Sequence, residues 1–348
     1  MTPGELARMV QDGEVIHGLA LGGAALAGAD LSGGVFEAVD FTGADLAGAR
    51  FREAILVNCR FDRARLAGAD LSKASLARCS LRGADLSGTR CVLTQGAECD
   101  FTGASLAQAN LTTATFATCK FDQASLAGAT AIRCALASCT TAGIDLRNAT
   151  LEGAALLEPD LSVARLDGTR FLRTTLNKAK LGGRDLRGIA FPACLLAEAD
   201  LSGSDLTGAT LTQCVLTGAA LAGARLDGAN LTRAVLVGAK LPGASLSGAN
   251  LTQAILVGAD LTGATLDGAR LYQAIATGLI APEARFTRCD LTYADLSGAN
   301  LTRANFGAAV LASANLHAIQ DEGAYIPDRA SAKGTDPERL RAETWHAR

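Results

Sequence analysis

Histidine, methionine and tryptophan are almost missing from this chain: 348 residues contain three, two and one of them. Aromatic residues reach only 4% while apolar residues reach 49%, so the interior must be thin and filled by small and medium side chains. A run of 18 apolar residues is absent, as is a basic-then-apolar leader. Their absence argues against a membrane span or secretory signal and points to the cytoplasm. Catalysis needs polar groups converging in a concavity, yet His17, His317 and His346 all lie outside the body of the chain. The many glycines recur at intervals of five rather than in a phosphate-binding loop. The expectation is a non-enzyme without cofactor or metal.

What the sequence does have is a period. From Leu21 to Leu316 every fifth residue is Leu or Phe in 54 of 60 places. The exceptions are Cys91, Gly96, Ala131, Thr141, Ala276 and Ala281, and all eleven Phe fall on this register. An α-helix advances about 500° in five residues and would scatter these side chains around its axis. A simple strand, with a period of two, fails as well. A coil that turns a corner once per pentapeptide fits. The register residue i and the small residue i−2 point inward, and the other three point out. Gly occupies position i+2 in 28 of 38 cases, where a corner calls for positive φ.

The ten cysteines follow the same logic. Nine sit at i−2 (Cys59, Cys79, Cys99, Cys119, Cys134, Cys139, Cys194, Cys214, Cys289) and Cys91 sits on the register, so they are read as buried, reduced, structural thiols. Cys59, Cys79, Cys99, Cys119 and Cys139 are spaced by 20, as are Phe41 and Phe61, Phe101 and Phe121, Phe171 and Phe191, and Phe286 and Phe306. Both series indicate four pentapeptides per coil.

Tandem Ala-(Asp/Asn)-Leu-X-X units such as Ala249-Asn250-Leu251-Thr252-Gln253 resemble the pentapeptide-repeat proteins. That resemblance implies an all-β fold, a right-handed quadrilateral β-helix, here of about 15 coils and roughly 70 Å. Short capping helices are expected at both ends. Residues 1–20 form the N-terminal cap, with Thr2, Pro3 and Glu5 as a helix start running to about Gln11. Residues 21–316 form the repeat. Residues 317–348 form an irregular segment followed by a helix from Asp336-Pro337-Glu338 to about Ala347, which contains Trp345. Between about Ala131 and Leu196 the pattern weakens at Ile144, Pro159, Arg184 and Ile189, where a kink or altered corner is expected. Cys91 to Gly96 and Ala276 to Ala281 are expected to mark loops.

Positions modulo 20 sort the outward residues into columns. Leu195, Val215, Val235, Ile255 and Ile275 form one apolar column with Val237 and Val257 beside it, and Tyr272 and Tyr293 stand on a neighbouring face. A weaker patch contains Val35, Ile55 and Val57. A contiguous exposed apolar stripe marks an interaction surface. The Leu195–Ile275 column, Val237, Val257, Tyr272 and Tyr293, together with Trp345, are the candidate partner-binding set, for another protein or for a second copy in a homodimer. A small-molecule substrate is not expected. The family's best-known activity implies an alternative, a DNA-mimicking inhibitor or protector of gyrase of the quinolone-resistance kind. Residues 21–316 carry 26 acidic and 26 basic side chains, however, and duplex DNA carries a negative charge every ~1.7 Å. The opening Met1-Thr2-Pro3 to Gly34, a capped helix running into Leu-Gly-Gly-Ala-Ala-Leu, is similar to pentapeptide-repeat accessory proteins of bacterial type VI secretion systems.

Overall fold

The computed structural model describes residues 2–344. The chain divides into two compact units, Met1–Leu176 and Asn177–Arg348, each a parallel β-solenoid. The first opens with α1 (Pro3–Gln11), whose Thr2 and Glu5 form the expected capping box. Leu6 is fully buried, and Val10 lies so close to Gly34 that a Cβ there would sit 3.0 Å from Val10 Cγ2. The helix thus closes the open end of the core.

Strands β1 (Val15–His17), β2 (Val35–Glu37), β3 (Ile55–Val57), β4 (Ser75–Ala77), β5 (Gln95–Ala97), β6 (Thr115–Ala117), β7 (Ala135–Ala137) and β9 (Ala155–Leu156) make one parallel sheet in that order, each paired with the next at a shift of 20 residues. Strands β8 (Thr150–Glu152) and β10 (Arg170–Leu172) pair separately. The strand-bearing stack spans eight turns, fewer than the roughly 15 coils expected of the repeat, and beyond it coils are joined by single bridges, nearly all at the same shift of 20. The coils of the second unit, as far as Lys333, are joined by single bridges such as Val235↔Ile255 and Asn230↔Asn250. The period of five fixes where corners fall, but not how many residues between corners stay extended.

The hydrogen bonds explain the motif. Leu21 N–H donates to the Asp40 carbonyl (2.7 Å), Gly23 N–H to Thr42 (2.9 Å) and Asp45 N–H to Ala24 (2.9 Å), while Ala24 N–H closes a turn onto Leu21 (3.0 Å). The side chain at i−1 accepts the N–H two residues on: Asn250 Oδ1 from Thr252 (3.1 Å) and Asp205 Oδ1 from Thr207 (3.0 Å). This is why Asp and Asn precede the leucine. At i+2 the backbone is left-handed, as at Gly248 (φ 65°) and Gln253 (φ 56°). Register residues are buried throughout, Leu246 and Phe286 completely.

The exceptions to the register are not loops. Ala276 and Ala281 are fully buried and their N–H groups keep their inter-coil bonds. Leu279, three residues after Ala276, fills the volume. Thr141 and Ile144 make the same exchange of large for small three residues apart, both buried. Gly96 lies in β5, and a Cβ there would fall 2.5 Å from Phe116 Cδ1, so the ring of the next coil occupies its slot. In the weak region the extended segments change face, since β8 and β10 lie on another face from β1–β7 and β9, while corners such as Gly153 (φ 60°) and Arg173 (φ 51°) keep the left-handed form. Arg184 needs no bulge: it is half-buried, and its carbonyl still accepts the Asp205 N–H (2.8 Å).

All ten cysteines are free and buried. Those spaced by 20 form a ladder along the strand-bearing stack. The Cys79 thiol donates to the Leu56 carbonyl of the previous coil (3.4 Å) and the Cys99 thiol to Leu76 (3.5 Å). The Cys99 and Cys119 amides, where other corners close a turn, donate to the sulfur of the next cysteine at 3.3 and 3.4 Å. A small residue with a weak donor and a weak acceptor thereby serves a corner that makes no turn bond. Elsewhere burial pushes Cys91 up to about 11 and Cys134 to about 12, so these thiols stay protonated at neutral pH.

Candidate functional site

An i−1 residue enters the ladder, points outward and is followed by an inward leucine, so stacked coils set i−1 side chains one above another. Bridges Leu195↔Val215, Val215↔Val235, Val235↔Ile255 and Ile255↔Ile275 join the predicted column. Leu195 and Ile275 are 40% and 45% exposed, while Val215, Val235 and Ile255 are half-buried against one another. Val237 and Val257 lie in the parallel i+1 column and are also half-buried. From Leu195 to Thr277 neither column contains a charge.

One edge of this strip carries a rail of long side chains. Arg233 Nε donates to Gln253 Oε1 (2.8 Å), and Gln253 Nε2 to Gln273 Oε1 (2.9 Å). The rail ends at Tyr293, 56% exposed, whose ring meets Tyr272 edge-on at 5.9 Å. On the other edge Glu198 stands beside Leu195, and the next four coils carry Gly218, Gly238, Gly258 and Gly278, which project nothing. The strip is a shelf with one wall.

Past Ile275 the same two columns turn polar, to Asp295 and Asn315 and to Ser297 and His317. Ser297 and His317 are buried, at 4% and 3% exposure. Three further bridges, Asn300↔Gln320, Asn305↔Tyr325 and Asn315↔Lys333, carry the ladder beyond Leu316. The chain then reaches α2 (Pro337–Glu343), N-capped by Asp336. His317 is held from both sides by this tail. Its Nδ1 accepts the Asp336 N–H (3.1 Å), so Nε2 bears the proton and donates to Glu343 Oε2 (3.0 Å). Trp345 lies outside the described residues.

The patch near the start of the chain is larger than the sequence reading made it. Val15, 60% exposed, bridges to Val35 and through it to Ile55, 46% exposed. Counting back 20 residues from Val35 would have found Val15. His317 follows the last register leucine and so falls outside the period, although it stands at i+1 like Val237. Among the described residues no group of three His, Cys, Asp or Glu is placed to hold a metal ion. No helix among the described residues is long and apolar enough to cross a membrane.

Comparison with known proteins extends the picture. The family model described as pentapeptide repeats matches residues 21–90, 99–136 and 144–318. HetL, a pentapeptide repeat protein involved in heterocyst differentiation regulation in the cyanobacterium Nostoc sp., is 27% identical over 90% of this chain and 96% of its own, with a TM-score of 0.19. A pentapeptide repeat protein of the Arabidopsis thaliana thylakoid lumen is 21% identical over 45% of this chain and 82% of its own (TM-score 0.21). QnrB1, a plasmid-mediated fluoroquinolone resistance protein, is 16% identical over 83% and 92% (TM-score 0.20). None of the curated proteins matches the chain.

Proposed function

The chain belongs to the pentapeptide-repeat family, and on that premise we propose that it is a non-enzymatic scaffold or adaptor that binds another protein through the Leu195–Ile275 strip. One observation carries this reading. Where the repeat usually places Asp, Asn or Ser at i−1, five successive coils place aliphatic residues, and no described residue of the chain is bonded over them. A soluble surface gains nothing from such a stripe unless it is covered. Ion pairs such as Arg225–Asp205 (3.4 Å) and Arg303–Glu283 (2.9 Å) cancel charge along the outer faces, which disfavours a DNA mimic. A supercoiling assay showing dose-dependent gyrase inhibition or quinolone protection would reverse that preference.

Replacing Val235 and Ile255 together by Asp tests the strip. These positions face outward, so the melting temperature should hold while a partner retained from native-cell extract is lost. Retention of that partner by the double variant would end the reading. As a setting we propose the cytoplasm and, from the Met1–Gly34 resemblance, an accessory role in type VI secretion. Deleting the gene should then lower delivery of particular effectors, and unchanged delivery would remove that setting.

A further inference from the structure

We propose that the strip receives an α-helix of another protein, laid along the coil axis with an uncharged aliphatic stripe facing Leu195–Ile275; this rests on the interaction reading above. The first support is spacing. Coils stack about 4.8 Å apart, and a helix rises 1.5 Å per residue, so about 3.2 helical residues pass each coil. Side chains three or four apart therefore meet successive rungs. A strand laid the same way returns to one face every ~6.6 Å and falls out of phase within two rungs. Five rungs span roughly 19 Å, the length of about 13 helical residues.

The second support is that the chain already seats a helical segment at the end of these columns. Asp336 and Glu343, at the two ends of α2, both bond to His317, which stands in the same i+1 column as Val237 and Val257. The composition of the columns tracks this cover. They are polar at Asp295, Ser297, Asn315 and His317, where the tail lies, and aliphatic from Leu195 to Ile275, where it does not. Charged groups laid on the aliphatic section would lose water without gaining partners, so the incoming face must be uncharged.

The third support is the wall. Arg233, Gln253 and Gln273 stand along one edge only, and Tyr293 closes the end next to the tail. A single helix fits the angle between shelf and wall. A carboxylate on its flank would face Arg233, the one charge on the rail between Gln213 and Gln273. A second copy of this chain fits less well. The tail helix, bonded to His317 at the end of these columns and exposed at every residue, would stand in the way of a second flat face.

The test places a photoreactive benzoylphenylalanine, one at a time, at Val215, Val235 and Ile255 of the full chain in its native cell. Crosslinked peptides are then located by mass spectrometry. One partner should be found, with its crosslinked positions advancing three or four residues per coil. Adding Val235→Asp to the Ile255 probe should cut the yield about tenfold. Where a probe unfolds the chain, the same rung is probed from Thr217, Val237 or Val257. Crosslinks scattered through a loop, or advancing two residues at a time, overturn the helix but leave the interaction reading standing. Crosslinks into a second copy of the chain also overturn the helix. No crosslink at any rung, with melting unchanged, overturns both.

Discussion

Gly96 is the only glycine on the register, and Phe116 explains it. Introducing Leu at 96 puts a Cβ 2.5 Å from Phe116 Cδ1 and 3.0 Å from Cε1, distances that force the ring or a coil to move. Overpacking of this kind costs about 1–3 kcal/mol. Phe116→Leu removes a ring that meets Phe101 and Phe121 edge-on, with centroids 5.5 and 5.2 Å away, and leaves a void beside Gly96. Lost transfer, cavity and aromatic terms together cost about 3 kcal/mol. Added independently, the two changes would remove roughly 5 kcal/mol. Together, though, they rebuild the Leu-over-Leu pair that β3 and β4 already use at Leu56 and Leu76. The double variant should therefore lose only about 2 kcal/mol, leaving a coupling near 3 kcal/mol. Urea unfolding of the four proteins at constant slope measures this. A coupling within about 0.5 kcal/mol of zero would show that Phe116 does not fill the slot of Gly96.

Leu246→Asp buries an unpaired carboxylate in a fully buried position and should cost more than about 4 kcal/mol; an unchanged urea midpoint would contradict the inward assignment. Cys79→Val leaves the Leu56 carbonyl without its thiol donor and should cost about 1–3 kcal/mol, whereas Cys79→Ser, which keeps a donor, should cost less in the same melts. Thr113, β-branched at φ 57°, should be improved by glycine by about 1 kcal/mol, and destabilisation would mean its side chain contributes more than its backbone loses. The carboxyls of Asp30, Asp145 and Asp205 are held below the ordinary aspartate value by the Ser32 hydroxyl, the Arg147 guanidinium and the Thr207 hydroxyl. Lowered values stabilise the fold above the unfolded-state value and lose that contribution as pH falls through the folded one. The urea midpoint should thus drop on acidification below about pH 4, and Asn at all three positions should flatten that limb because an amide does not titrate, while its oxygen still accepts the turn N–H.

The five-residue rule revealed the inward and outward faces correctly because core volume and backbone geometry repeat together. It could not reveal how volume is exchanged inside one unit. Ala276 with Leu279 and Thr141 with Ile144 read as defects when each position is judged alone, and only the packed coil shows that they compensate. The strand-bearing face was equally hidden, since the sheet of the first unit depends on how far residues such as Phe36 and Glu37 stay extended before the corner at Ala38 (φ 53°). The cysteine spacing was legible, but the role of the thiols was not: nothing in a period of 20 says that sulfur replaces a missing turn bond. For the candidate surface, the column from Leu195 to Ile275 followed from arithmetic alone. Arg233, Gln253 and Gln273 also recur every 20 residues, but the side-chain bonds that tie them into a rail are not written in that spacing. His317 stayed hidden because its meaning depends on a tail folding back.

The ladder in steps of 20 also sets a rule of descent for the strip. Every coil bonds only to the coils before and after it, as Asn230 does to Thr210 and Asn250, so a duplication of 20 residues lengthens the stack and leaves each column aligned. An insertion of five is different. It turns all later coils of the unit by one face, splits the aliphatic column at that point and carries its two halves onto adjoining sides. Lineages that still need the strip can therefore gain or lose length within it only in whole coils, and gaps in multiples of 20 between Leu195 and Ile275 would be the record of that need.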